Sequence, residues 1–264
     1  MWSISRTKNV NLNFISSCII SKLPEQPQSA VILGSGLGKF IDSLDKPIVI
    51  PYSEIPDYPR STVSGHKGEW VFGYIHNKPV ICASGRFHYY EGFNLDEITL
   101  PISVIHSLGC KNVIITNAAG CLKKEWQVGD LMLISGYLDY TFRNGTDTPP
   151  IVLLKTDQIN KKIKSIATKL NISLREGIYT WALGPSYETP AEIQEIISLN
   201  GNAVGMSTVP EIRKAIELGM NVVGISCLTN YGAGMEGSVL SHEDVLENSN
   251  LANKEFSRLL IEIV

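Results

Sequence analysis

The chain has 264 residues, 44% hydrophobic and 19% charged, with a net charge of −3, which is ample material for a large core and no field to recruit nucleic acid or an acidic membrane. No run approaches the roughly 18 apolar residues of a membrane span, so a small molecule is the expected partner and the cytoplasm the expected location. The five cysteines, Cys18, Cys82, Cys110, Cys121 and Cys227, are odd in number, far apart and mostly inside apolar runs, which indicates free thiols rather than a disulfide framework or a zinc site.

Residues 1–29 read as a leader followed by a first helix: Arg6 and Lys8 precede a weakly apolar stretch that Asn11, Asn13, Ser16 and Ser17 interrupt, and no cleavage site follows. Short β-rich runs then recur at 30–34 (AVILG), 69–75 (EWVFGYI), 79–84 (PVICAS), 112–117 (NVIITN), 130–135 (DLMLIS), 177–183 (GIYTWAL), 203–206 (AVGM) and 221–226 (NVVGIS). Several are apolar without alternation, the pattern of strands covered on both faces, so the class is α/β. Between them, NLDE (94–97) starts a helix reaching Leu108, with Pro101 expected to kink it or delay its start. TPAE (189–192) offers Thr189 as N-cap, Pro190 at the first helical position and Glu192 to complete a capping box, with Ile193, Ile196 and Ile197 on one face. TVPE (208–211) repeats that pattern with Thr208 and Glu211, and Ile212, Ala215 and Ile216 form its expected buried stripe. The stretch 142–151 is the most loop-like, and no linker divides the chain, so one domain over 1–264 is expected.

Several motifs offer chemistry, each beside a plainer use. LGSGLG (33–38) leaves a strand with Ser35 between glycines, where backbone N–H groups and a hydroxyl can approach a phosphate; a tight structural turn explains it equally well. Arg86 and His88 in GRFHYYEG stand at i and i+2, so on a continuing strand they share a face opposite Phe87 and make an oxyanion clamp, or else a surface Arg and a satisfied histidine. Ser207 precedes a helix start, where an anion or ordinary capping fits. In GPSYETP, Tyr187 and Glu188 suit a planar heterocycle, the ring stacking and the carboxylate accepting from ring N–H; Glu188 also suits a first helical turn. Asn117 in TNAAG and Asn230 in LTNYGAG follow strands and can donate and accept at once, as a purine edge or a turn requires. His66 in SGHKG and His242 in SHEDVL stand in loop or cap positions.

The ordered series GSGLG, GHKG, GRFHYYEG, TNAAG, GPSYETPAE, VGMSTVPE, LTN and SHEDVL closely resembles the trimeric, low-molecular-mass purine nucleoside phosphorylases from about Val31 onward. The resemblance implies a central mixed, partly barrel-like sheet flanked by helices, a homotrimer, and a pentosyltransferase that uses phosphate as co-substrate and neither metal nor organic cofactor. It implies that Ser35, Arg86, His88, Ser207 and the backbone of Ala118 hold phosphate, with His66 approaching from a loop. Tyr90 and Met206 would contact the ribose and His242 its 5′-hydroxyl. Tyr187 would lie against the base, Glu188 and Asn230 would read it, and Asn117 and Tyr179 fall on further site positions. Catalysis would fall to Asn230, Glu188 and His88.

The residues are chemically suited to those roles. Phosphorolysis needs an anion held beneath C1′, worth up to roughly 7–11 kcal/mol of proximity, and donors aimed at a departing purine, each worth about 10²–10³ in rate. Glu188 accepting from N1–H and an Asn230 amide at N7 and O6 would favour a 6-oxopurine such as inosine or guanosine over adenosine. Tyr187 stands where the animal enzymes have phenylalanine, which keeps stacking and leaves xanthosine open. Methylthioadenosine phosphorylase would carry aspartate at Asn230 and a smaller apolar group at His242, and an inert scaffold would have a broken site position; neither applies here. The 142–151 stretch, with Phe142, is the candidate for an aromatic donated to a neighbouring subunit.

Overall fold

The computed structural model describes residues 11–63, 66–143, 145–146, 148–235 and 242–264, the side chains of 242–251 excepted. Ten strands form its sheet: β1 Ser29–Ile32, β2 Asp45–Pro51, β3 Glu69–Ile75, β4 Lys78–Ser84, β5 Asn112–Cys121, β6 Leu131–Asp139, β7 Ile151–Leu153, β8 Leu174–Trp181, β9 Ala203–Gly205 and β10 Asn221–Tyr231. The helices are α1 Leu12–Ile20, α2 Leu95–Ser107, α3 Asp157–Lys169, α4 Pro190–Ser198, α5 Val209–Glu217 and α6 His242–Ile263.

The strands run in the order β10-β6-β8-β9-β5-β1-β4-β3-β2, and β10 also pairs with β5. That second pairing closes β10, β6, β8, β9 and β5 into a five-stranded barrel, while β1 to β4 extend from its β5 wall as an open sheet. The long strands β5 and β10 run parallel, as do β1 with β4 and β5. Their apolar composition follows from cover on both faces. In β1, Ala30 and Ile32 enter the core cluster built with α1, α2 and α5, and Val31 enters the one built with α3 and α6.

Pro101 neither delays nor ends α2, whose start is fixed by a reciprocal cap: Asn94 Oδ1 accepts from Glu97 N at 3.0 Å, and Glu97 returns the bond to Asn94 N at 2.9 Å. Burial of Ile98, Leu100, Ile102, Val104 and Ile105 carries the helix through the missing donor. The expected α4 cap is present on Thr189 and Glu192. The expected α5 cap is not: Thr208 makes no capping bond, Glu211 turns inward, and Ile216 is half exposed while Ile212 and Ala215 are buried. Two strands escape the sequence pattern. β2, DKPIVIP, is an edge strand with only Ile50 buried, where Pro47 and Pro51 are tolerated. β7 is a three-residue edge strand on β6 that begins at Ile151, the last residue of the stretch expected to be loop. All five cysteines are free. Among the described residues no helix is long and apolar enough to cross a membrane.

Candidate active site

The carboxyl ends of β1, β4, β5 and β10 point the same way, and a cleft of roughly 740 Å³, counting its open mouth, lies beyond them. Crevices at strand carboxyl ends are where α/β sheets seat ligands. Ser35, Arg86, His88, Tyr90, Asn117, Ala118, Tyr187, Glu188, Met206, Ser207 and Asn230 all line it. His66 stands beside it, with Nε2 3.3 Å from Ser35 Oγ and its ring 5.4 Å from that of His88. Tyr179 lies behind the wall, fully buried, its hydroxyl accepting from Ser207 N at 3.4 Å. The side chain of His242, the first residue of α6, is outside the described residues.

Ser35 follows from a close approach of two strands. A side chain at Gly34 would place Cβ 2.6 Å from Asn117 Cα, and Gly36 turns the loop at φ +74°. Gly34 N donates to Thr116 Oγ1 at 3.1 Å, tying the loop to β5.

β4 ends at Ser84, yet Arg86 and His88 still reach the cleft while Phe87 is buried among Tyr52, Tyr58 and Phe93. Arg86 Nε lies 3.0 Å from each carboxylate oxygen of Glu211, with both side chains essentially buried. His88 Nδ1 lies 3.0 Å from Glu91 Oε1, which also accepts from His88 N at 2.9 Å. Glu91 Oε2 accepts from Thr62 N at 2.7 Å, Ser61 Oγ at 3.0 Å and Thr62 Oγ1 at 3.2 Å. Burial alone would raise the Glu91 pKa; the bonds from His88, Thr62 and Ser61 outweigh it and bring the value down to about 2. One carboxylate thus holds the His88 ring and anchors the 61–62 segment. The Tyr90 ring stacks on His88 at 4.8 Å, and burial, with Glu91 and Tyr187 nearby, pushes its hydroxyl up to about 12.

Ser207 is presented by a strained turn. Thr208 has φ +75° and ψ −48°, and Val209 N donates to Ser207 O at 2.8 Å, the geometry of a γ-turn that β-branched residues rarely adopt. Strain of this kind costs about 1–3 kcal/mol. It is held by Asn117 Nδ2, which donates to Thr208 Oγ1 at 3.0 Å, and by the contact of the Ser207 and Thr208 hydroxyls at 3.1 Å.

At the far end, Leu228 pairs with Ala119 and Asn230 with Gly120, so Thr229 is an extra residue in β10 and the ladder bulges there. Thr229 Oγ1 donates to Asn230 Oδ1 at 2.9 Å, and Asn230 Nδ2 donates to Tyr231 O at 3.0 Å. Glu188 faces this end half-buried, and burial raises its pKa above the ordinary carboxylate value. Phe142 is 44% exposed at φ +55°, packed edge-on against Tyr140, and the Arg143 guanidinium sits 4.0 Å over the Tyr89 ring.

The sequence reading overlooked Glu91 and misjudged Glu211, and it missed the bulge at Thr229. Glu91 lies inside GRFHYYEG, three residues from the histidine it binds, and Glu211 has the sequence position of an ordinary cap acid.

The sequence model of the phosphorylase superfamily matches residues 28–264. The chain belongs to that superfamily. Purine nucleoside phosphorylase 1 of Geobacillus stearothermophilus is 41% identical over 253 residues, covering 92% of each chain. Purine nucleoside phosphorylase of Rattus norvegicus is 36% identical over 265 residues, covering 92% of this chain and 91% of that one. A Schistosoma purine nucleoside phosphorylase solved with hypoxanthine superposes with a TM-score of 0.86 at 30% identity, covering 96% of this chain and 95% of that one. Schistosoma mansoni enzymes solved with adenosine and with inosine superpose with the same TM-score of 0.86 at 29% and 28% identity. Within the superfamily the chain stands with the purine nucleoside phosphorylases, which are pentosyltransferases. The expected fold, a mixed sheet with a barrel flanked by helices, is the one found.

Proposed function

We propose that the chain catalyses reversible phosphorolysis of 6-oxopurine nucleosides and deoxynucleosides, inosine and guanosine foremost, as a homotrimeric cytoplasmic enzyme of purine salvage. What supports this most is that one cleft carries anion donors at one end and a carboxylate with an amide at the other. Phosphate would lie against Arg86, His88, Ser35, Ser207 and the Ala118 backbone, with His66 beside it. The ribose would span Tyr90 and Met206, with its 5′-hydroxyl towards His242. A phosphate oxygen attacks C1′, the C1′–N9 bond breaks, and its electron pair leaves with the purine. The phosphate charge stabilises the developing ribosyl cation, and Asn230 and Glu188 stabilise the base as it gains negative charge. Phosphate is the co-substrate, and the residues assigned here need no metal or organic cofactor.

The 6-oxo preference follows from the amide. With Oδ1 accepting from the Thr229 hydroxyl and one Nδ2 hydrogen on Tyr231 O, Asn230 has its second Nδ2 hydrogen to offer, which matches the acceptors N7 and O6 and not a 6-amino group. A panel of inosine, guanosine, xanthosine, adenosine and methylthioadenosine, each with inorganic phosphate, tests this by measuring free base and pentose 1-phosphate. Inosine and guanosine should turn over fastest; no turnover of either removes the assignment, and methylthioadenosine as the best substrate replaces it. Asn230→Asp should raise the adenosine-to-inosine ratio at least tenfold, consistent with the roughly 1.5–3 kcal/mol carried by a charged hydrogen bond. An unchanged ratio refutes the base-reading role. Sedimentation equilibrium tests the trimer.

A further inference from the structure

Glu211 is a buried acid outside the cleft wall that touches a residue inside it. It is the third residue of α5, its carboxylate is 1% exposed, and its partner Arg86 is 2% exposed. Arg86 lines the cleft and Glu211 does not. The contact is unusual in form. Guanidinium and carboxylate commonly pair through two nitrogens, whereas here both carboxylate oxygens sit on Nε alone at 3.0 Å. Among the described residues Arg86 Nη2 is left buried with no hydrogen-bond partner, as is Glu211 Oε2 as an acceptor.

A pair arranged in this way is a poor stabilising device. Desolvation offsets much of the attraction in a buried ion pair, and an orphaned buried donor adds about 1–3 kcal/mol of cost. It is a good orienting device. Arginine presents a rigid fork on a flexible stem, and fixing Nε fixes the plane of that fork while leaving its terminal nitrogens uncommitted. We propose that Glu211 is the positioning residue of the anion site: it grips Arg86 from behind and holds the guanidinium plane so that its free terminal N–H groups meet the attacking phosphate. The inference rests on the assignment of Arg86 to phosphate. It also explains why the TVPE segment spends an acid on the α5 first turn without a capping bond.

Steady-state kinetics of the full chain with inosine and inorganic phosphate tests the proposal. Glu211→Gln keeps the shape but replaces one acceptor with an NH₂ group facing the guanidinium. Glu211→Asp keeps the charge but withdraws it by one methylene, and serves if the glutamine variant fails to fold. Either should raise the phosphate KM about tenfold or more and leave the inosine KM within about twofold, as loss of charge-assisted orientation predicts. Because Glu211 acts through Arg86, Glu211→Asp should add less than about twofold in an Arg86→Ala background. A phosphate KM unchanged in folded Glu211→Asp, an equal rise in both KM values, or a full additional loss in the Arg86→Ala background overturns the positioning role. If Arg86→Ala itself leaves the phosphate KM unchanged, the assignment of the anion end fails with it, a pattern distinct from loss of the Glu211 effect alone.

Discussion

Replacing Glu91 with glutamine should remove about 2 kcal/mol of stability at neutral pH, and the loss should itself depend on pH. The two carboxylate oxygens accept from five donors, two of them backbone N–H groups, His88 N on Oε1 and Thr62 N on Oε2. An amide can turn only one oxygen inward, so in either orientation one of those N–H groups faces NH₂, which costs about 1–3 kcal/mol. Holding a carboxylate at about 2 instead of 4.5 corresponds to ~3 kcal/mol at most, and the exposure of the 61–62 segment reduces it towards ~2. The sign follows from the direction of the shift. A carboxylate lowered in the folded state contributes stability above its unfolded pKa and loses it as the pH falls through the folded value. The gap between wild type and Glu91→Gln should therefore be full at about pH 6–7 and narrow progressively below about 4.5. Urea unfolding across that range measures it, and a thermal scan near neutrality should show a fall of about 5 °C. A gap that stays constant from pH 7 to about 3.5, or no gap at pH 7, would refute the role given to this carboxylate.

Other expectations are independent of that one. Thr208→Gly relieves the φ +75° strain while losing the Asn117 bond, so stability should stay within about 1 kcal/mol of wild type; kcat/KM for phosphate should nevertheless fall about tenfold as Ser207 loses its fixed turn, and an unaltered value would show the strain to be incidental. Gly34→Ala drives a Cβ to 2.6 Å from Asn117 Cα, and calorimetry should find it destabilised by about 3 kcal/mol or more; a neutral result would mean that β1 and β5 separate freely. The raised Glu188 pKa should place the acid limb of kcat/KM for inosine above the ordinary glutamate range, because activity needs the carboxylate and is lost as pH falls through the raised value. Glu188→Gln should abolish that limb along with most activity; a limb that persists in the variant belongs to another group.

The elements most legible in the sequence were those whose local chemistry and burial agree. β3 reads directly because a run covered on both faces has nothing but apolar side chains to offer, and α4 because Thr189, Pro190 and Glu192 fix its start without outside help. β2 was hidden by its own exposure: an edge strand with one buried side chain carries no hydrophobic period, and its prolines argue against a strand. At the site, residue types with few plausible uses, such as Arg86 beside His88, could be singled out from the chain itself. What holds them could not. Glu211 and Thr208 look like a helix cap because the sequence pattern is that of a cap, and only the packing of α5 against α2, β5 and β10 turns the acid onto Arg86 instead. Glu91 illustrates the reverse case, a purely local contact over three residues whose importance lies in the distant segment it also gathers in.

The extra residue in β10 gives the far end of the cleft two consecutive side chains, Thr229 and Asn230, where a regular strand would supply one. Side chains along a strand alternate between faces, so deleting Thr229 would restore an unbroken ladder in which Leu228 and Asn230 keep their partners Ala119 and Gly120 and their opposite faces. Asn230 would still stand beside Gly120, yet its Oδ1 would lose the Thr229 hydroxyl that now donates to it. The bulge therefore orients the Asn230 amide rather than placing it, and the exposed connections elsewhere in the chain can lengthen or shorten without disturbing that contact.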